Sequence, residues 1–254
     1  MQRILFVLFV ALLALSYAAW SQVDLDDAAL LEVLDEARFF DTEVSIVRVQ
    51  IVSTTPEEER EAEIRLLFSE IEGETVSRIE FLAPEELAGQ IYLNIPDGAF
   101  FFGPDLDFPI KTSASTEVFG DSAVAQTSGI RFLEDYTVSE RRTTQAEEGT
   151  ELLEVDLEAV DFSVAFQAVT VTVDPIAVRP VSAILYALSG LPFYEVFYET
   201  YETRGDDDVY AVRQRIVNLF LVGRQTVSTI LEISDESLDQ TLFDPNQLTR
   251  ETES

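Results

Sequence analysis

Apolar and polar residues alternate along most of this chain, the period-two signature of strands with one buried face. Glu43 to Ser53 places Val47, Val49 and Ile51 on one side, and Ile64, Leu66 and Phe68 repeat the spacing among charged neighbours. Glu72-Gly73-Glu74 turns the chain into a third strand, Thr75 to Leu82. Gln90 to Ile95 and Ala99 to Phe102 follow, joined by Pro96-Asp97-Gly98, where proline presets one torsion and glycine accepts a positive one. Further strands are predicted at Arg131 to Arg142, Leu152 to Ala159, Phe162 to Val173, Pro192 to Thr203, Val209 to Val222 and Thr226 to Ile233. Turns this short demand antiparallel neighbours. The expected fold class is mainly β (α+β): one large curved antiparallel sheet or unclosed β-barrel of about 10–11 strands, with a few helices covering its concave face.

Three stretches depart from that period. Asp24 to Ala37 reads as an amphipathic helix, with Asp24 or Asp26 as its cap and Leu30, Leu31, Leu34 and Ala37 as its apolar stripe. Thr116 to Ile130 is small and weakly polar. Pro180 to Tyr194 (PVSAILYALSGLPFY) has no charged residue, and its Val181, Ile184, Leu185 and Leu188 fall at helical spacing before Ser189-Gly190. This last segment is expected either to plug the sheet as core or to form a lid over an apolar cavity.

The N-terminus has a different grammar. Met1-Gln2-Arg3 is a short basic start, Ile4 to Ala19 is an unbroken apolar run, and Ala19-Trp20-Ser21 supplies small residues before Gln22. That is the layout of a cleaved secretory signal, and the run is shorter than the roughly 20 residues that span a bilayer. An uncleaved membrane anchor is the competing reading. The expected organisation is a signal at 1–21, a single domain at 22–248 and a loose tail at 249–254. The expected location is exported and periplasmic.

Charge and composition then narrow the chemistry. There are 48 Asp and Glu against 16 Lys and Arg, a net charge of -32, with no histidine, no cysteine and a single lysine, Lys111. A Ser-His or Cys-His pair cannot form, nor can a zinc site on nitrogen or sulfur ligands, nor a disulfide. The charge repels nucleic acid and anionic headgroups. It equally suits a protein adapted to high salt. Yet 47% of the residues are hydrophobic, including 18 Phe, too many for a disordered chain. Asp24-Leu25-Asp26-Asp27, Asp105-Leu106-Asp107 and Asp206-Asp207-Asp208 lack the glycine and glutamate spacing of an EF-hand, so no metal is expected. No spacing singles out a catalytic carboxylate pair, and Lys111 with Ser113 or Ser115 reads as a solvated strand edge before it reads as a Ser-Lys hydrolase. No enzymatic activity and no cofactor are expected.

The order of several short motifs resembles the LolA-like, outer-membrane lipoprotein-sorting family. Phe81-Leu82-Ala83-Pro84 is followed by Gly89, Tyr92-Leu93 and the aromatic strand Phe100-Phe101-Phe102 ending at Gly103-Pro104. Phe119-Gly120-Asp121 and Asp135-Tyr136 come next, and Gly223-Arg224-Gln225-Thr226 leads through Asp235 to Leu242-Phe243-Asp244 and Leu248. The resemblance spans most of the chain after the N-terminal run. Two features depart from the family pattern: three phenylalanines stand where a tryptophan is usual, and the glycine-acid segment, GDSAVAQTSGI, lacks aromatics. The resemblance implies an unclosed barrel that binds acyl chains of lipids or lipoproteins between sheet and helices, for transfer towards the outer membrane. A membrane transporter or outer-membrane acceptor would be its partner. A non-carrier interaction module on the same fold, an envelope-stress sensor or assembly partner, is the alternative. Candidate lining residues are Phe100, Phe102, Phe162 and Phe166 on strands, with Phe119, Ile184, Leu185 and Leu188 on the lids. For each of them, ordinary core packing is the competing role.

Overall fold

The structure is a computed structural model that describes residues 25–38, 45–123, 130–146, 149–204 and 208–248. The proposed signal and tail, and much of the stretch after Ala123, lie outside the described residues.

The chain makes two antiparallel meanders. The first contains β1 (Ile46–Thr54), β2 (Glu59–Ile71), β3 (Glu74–Ala83), β4 (Ile91–Ile95), β5 (Gly98–Phe102) and β6 (Ile110–Thr112). A small hairpin, β7 (Glu117–Phe119) and β8 (Ser122–Ala123), separates it from the second. The second contains β9 (Tyr136–Gln145), β10 (Glu151–Ala159), β11 (Ala168–Asp174), β12 (Arg179–Tyr186), β13 (Pro192–Arg204), β14 (Asp208–Asn218) and β15 (Gln225–Ser234). Antiparallel pairing of β1 with β15 joins the two into one 13-stranded sheet with β6 and β9 at its edges. The sheet is the expected unclosed one, with more strands than the 10–11 counted from sequence: β6 carries too few residues to show a period, and β12 lies in the uncharged segment whose spacing imitates a helix.

Helices are few. Helix α1 (Asp27–Glu36) is capped by Asp26, whose side chain accepts from the Ala29 N–H at 2.9 Å. Helix α2 (Phe132–Asp135) is a single turn, so the strand expected from Arg131 begins only at Tyr136. At Glu72-Gly73 both residues take positive φ, 57° and 85°, the two-residue hairpin whose twist matches the flanking strands.

Two expectations are corrected. Pro180 to Tyr194 is not a helix: it is β12, a turn at 187–191 and the start of β13. Val173 pairs with Pro180 and Thr172 with Ser182, so Val181 is an extra, bulged residue. A second irregularity, between Leu185 and Tyr186, leaves Phe193 unmatched. These bulges break the strict alternation and leave apolar residues at spacings that imitate a helix. The long strand expected over Phe162 to Val173 begins at Ala168; residues 160–167 form a loop. Val169, Val171 and Val173 do share one buried face.

The core has three parts. On the concave face, β9 to β14 pack beneath α1 and α2. On the same face, β1 to β4 pack against Phe119 of the β7–β8 hairpin. On the opposite face, Leu67, Val76, Leu93 and Phe102 are covered by Phe243 and Leu248 of the C-terminal segment. Arg78 clips that segment down, donating to the Leu242 carbonyl at 2.7 Å.

Candidate functional site

The floor of the site is the inner face of β10 to β13. Val155, Leu157, Val169, Val171, Ala183 and Leu185 point inward there, β-branched and aliphatic residues that suit a half-buried pleated surface. The roof is α1, which lays Leu30, Leu31 and Leu34 on that floor, and α2, which adds Phe132.

Polar groups hold the roof together. The Asp35 carboxylate accepts from the backbone N–H of Phe132 at 2.8 Å and of Leu133 at 2.9 Å, capping α2 from the end of α1. Arg38 donates from Nη1 to the Ile130 carbonyl at 2.8 Å. Its guanidinium also lies 4.2 Å from the Phe132 ring centre and 3.6 Å from Asp35. Burial pushes the Asp35 carboxyl up, and Arg38 and the two N–H groups oppose that without cancelling it. Burial likewise raises the Tyr198 phenol beside Arg38. Tyr136 donates its hydroxyl to the Phe166 carbonyl at 2.8 Å, tying the 160–167 loop to the same roof.

Among the described residues, one space between roof and floor, of about 10 Å³, is lined by Arg38, Ile130, Phe132, Leu185, Val196 and Tyr198. That is roughly room for one water.

The other half of the concave face is closed by the β7–β8 hairpin. Gly120 sits against Ser53 and Thr226 with φ +59°, so close that a Cβ there would collide with both hydroxyls. The Asp121 N–H donates to Thr226 Oγ1 at 2.9 Å, and Asn218 Nδ2 donates to Asp121 Oδ1 at 2.7 Å. Arg224 lies 3.5 Å from the other Asp121 oxygen. Among the described residues, no three metal-ligating side chains converge on a common point.

The sequence-derived lining residues fall in four places. Leu185 and Phe166 are buried beneath the roof, whereas Ile184, the neighbour of Leu185 on β12, is half-buried on the opposite face of the sheet. Phe119 is buried on the concave face but in the other half, 6.3 Å from Phe81. Phe100 and Phe102 lie on the opposite face of the sheet, with Phe243 and Leu248. The register is one residue away from that expectation: Phe101, 4.9 Å from Tyr92, is the member of the triplet on the concave side. Phe162 and Leu188 stand in solvent, 93% and 85% exposed, at the tips of two loops.

Sequence reasoning missed Asp35 and Arg38. The signal was present: with Leu31 and Leu34 they complete the i, i+3, i+4, i+7 stripe of α1. Charges on an apolar stripe are buried, and buried charges need partners.

A family model described as "Uncharacterized protein" matches residues 73–250. None of the curated proteins compared matches the chain. Solved structures do. A LolA superfamily protein from Nitrosomonas europaea is 23% identical, with a TM-score of 0.77 over 86% of this chain and 98% of its own. A domain described as an outer membrane lipoprotein-sorting protein, from Vibrio parahaemolyticus, is 19% identical, with a TM-score of 0.72 over 86% and 97%. A DUF1329 family protein from Desulfovibrio piger is 13% identical, with a TM-score of 0.73 over 87% and 97%. The fold of this chain is therefore the LolA-type fold.

Proposed function

The chain belongs to the family whose model spans residues 73–250, and we propose that it is an exported, periplasmic, non-catalytic carrier that takes up acyl chains of lipids or lipoproteins. The observation that carries this reading is the roof itself. An apolar floor of one sheet is covered by two short helical pieces joined mainly through Asp35 and Arg38. A cover held by a few polar contacts over greasy surfaces can separate without unfolding the sheet. Burying a chain of ~16 carbons is worth roughly 12 kcal/mol, at about 0.8 kcal/mol per methylene, enough to drive such an opening. Leu185 and Phe166 would line the opened space, with Phe119 at its far side. Phe100, Phe102, Phe162, Ile184 and Leu188 are not part of it. The chain's likeness to a domain described as a lipoprotein-sorting protein supports the same class of cargo, and a membrane transporter or acceptor would then be the partner.

A non-carrier interaction module is the second reading, favoured by the dense packing of roof on floor, where Leu30, Leu34, Phe132 and Leu185 are at most 2% exposed. Native mass spectrometry of the exported protein, with lipid extraction and uptake of a fluorescent fatty acid, separates the two. A carrier shows bound acyl species, and on uptake the amides of Phe132 and Leu133 lose protection from hydrogen exchange. A protein that is empty and takes up no probe removes the carrier reading.

A further inference from the structure

Three consecutive hairpin loops share one rim of the sheet: 160–167 between β10 and β11, 187–191 between β12 and β13, and 219–224 between β14 and β15. The register places them side by side, because Glu158 pairs with Ala168, Ala168 with Tyr186, Tyr186 with Pro192, and Tyr194 with Asn218. In a chain of net charge -32 these loops contain one acid, Asp161, and one base, Arg224. Both are engaged: Asp161 Oδ1 accepts from the Ser163 N–H at 2.6 Å, and Arg224 faces Asp121.

The loop tips are apolar and point outward. Phe162, Leu188 and Val222 are each at least 85% exposed, and Leu191, Phe220 and Leu221 are about half exposed. They are held out by structure. Asn218 Oδ1 accepts from the N–H groups of Phe220 and Leu221 at 3.0 and 2.8 Å. The Gly190 N–H donates to the Ala187 carbonyl at 2.8 Å, and Gln167 Nε2 donates to the Val164 carbonyl at 2.9 Å. The Phe193 ring packs edge-on against Phe220, with ring centres 5.3 Å apart, fixing the 219–224 loop to the start of β13. Loops free to collapse would fold these side chains back on the sheet.

We propose that this rim docks on the interface of a neutral lipid bilayer, inserting Phe162, Leu188 and Val222. Three separate apolar points suit a fluid acyl boundary, which closes around each. Protein hot spots are led by Trp, Tyr and Arg seated in packed pockets, and the tips Phe162, Leu188 and Val222 include none of the three. The charge pattern selects the lipid. The acidic body is repelled by anionic headgroups, and the rim carries no cluster of basic residues to offset that. The rim adjoins the roof, since the Val160 N–H donates to the Asp135 carbonyl of α2 at 2.8 Å. The inference stands apart from the carrier reading: a protein that never holds an acyl chain would still dock.

The only tryptophan, Trp20, directly follows the N-terminal apolar run, so a Trp20→Phe background accepts a single reporter. Phe162→Trp places it at the rim, and Ile176→Trp places it in an exposed turn at the opposite end of the strands. With phosphatidylcholine vesicles containing a brominated lipid, the rim reporter is expected to be quenched and blue-shifted and the Ile176→Trp reporter unaffected. Combining Phe162→Ser, Leu188→Ser and Val222→Ser in one variant is expected to lower vesicle partitioning roughly a hundredfold or more. Including about one-third phosphatidylglycerol at low salt is expected to weaken it roughly tenfold. No quenching at the rim, as when these loops meet a protein or a second copy instead, overturns the proposal. Equal quenching at both positions, or partitioning unchanged in the Ser variant, overturns it too.

Discussion

The guanidinium carbon of Arg38 lies over the ring of Phe132, 4.2 Å from its centre, and so joins the end of one roof helix to the start of the other. The same group reaches Asp35 and the Ile130 carbonyl. A charged cluster therefore joins the two pieces of an otherwise apolar cover.

Arg38→Met keeps the stem volume and removes the charge. It leaves Asp35 buried without its ion-pair partner, which typically costs about 3–5 kcal/mol. Combining it with Asp35→Asn should recover part of the loss. Urea unfolding of the two single variants and the double variant measures the coupling, and an additive double would show that the pair does not act as a unit.

Asp35 makes stability pH-dependent in a definite direction. Its folded carboxyl is raised, mainly by burial, so the folded state binds the proton first as pH falls. The stabilisation is present at low pH and is lost as pH rises through the raised value. Asp135 and Glu134 are raised for the same main reason. Glu199 works the other way: hydrogen bonds from Arg215 and Arg213 lower it, and its contribution is lost only below its ordinary value of 4.5. As pH falls from neutral towards 4.5 the protein should therefore gain stability, and Asp35→Asn should gain less. Equal gains in urea midpoints would mean that Asp35 does not titrate in that window.

Gly120→Ala should lift the β7–β8 hairpin from the sheet. The new methyl meets Ser53 and Thr226 in a backbone conformation that side chains disfavour. A loss of about 3 kcal/mol is expected, from overpacking and positive φ together. Gly149→Ala also sits at positive φ but meets nothing within 4 Å, so it should cost only the backbone part, about 1 kcal/mol. Thermal unfolding of both variants separates collision from conformation.

Salt should stabilise the protein. Self-repulsion among its carboxylates is long-range and screens well, whereas pairs such as Arg48 with Glu63 and Glu232 contribute little at the surface. Between about 0.1 and 1 M sodium chloride, Tm should rise by at least ~3 °C, equivalent to roughly 1 kcal/mol at this size. A fall in Tm would mean that ion pairs outweigh repulsion.

Local pattern alone determined the mainly-β class, the hairpin turns at Glu72-Gly73 and Pro96-Asp97, the Leu30-Leu31-Leu34 stripe and the inward face of β1. Each is a short-range consequence of backbone stereochemistry or of side-chain period, and neighbouring residues carry it. Tertiary structure decided what depends on distant partners. Bulges opposite other strands turned the uncharged segment at Pro180 to Tyr194 into a hairpin and left Leu188 in solvent. A one-residue register put Phe101, and not Phe100 or Phe102, on the concave side, because the C-terminal segment gives β5 a second buried face. The meeting of Asp35 and Arg38 with Phe132 brings together residues nearly a hundred positions apart in the chain, a juxtaposition that no periodicity encodes.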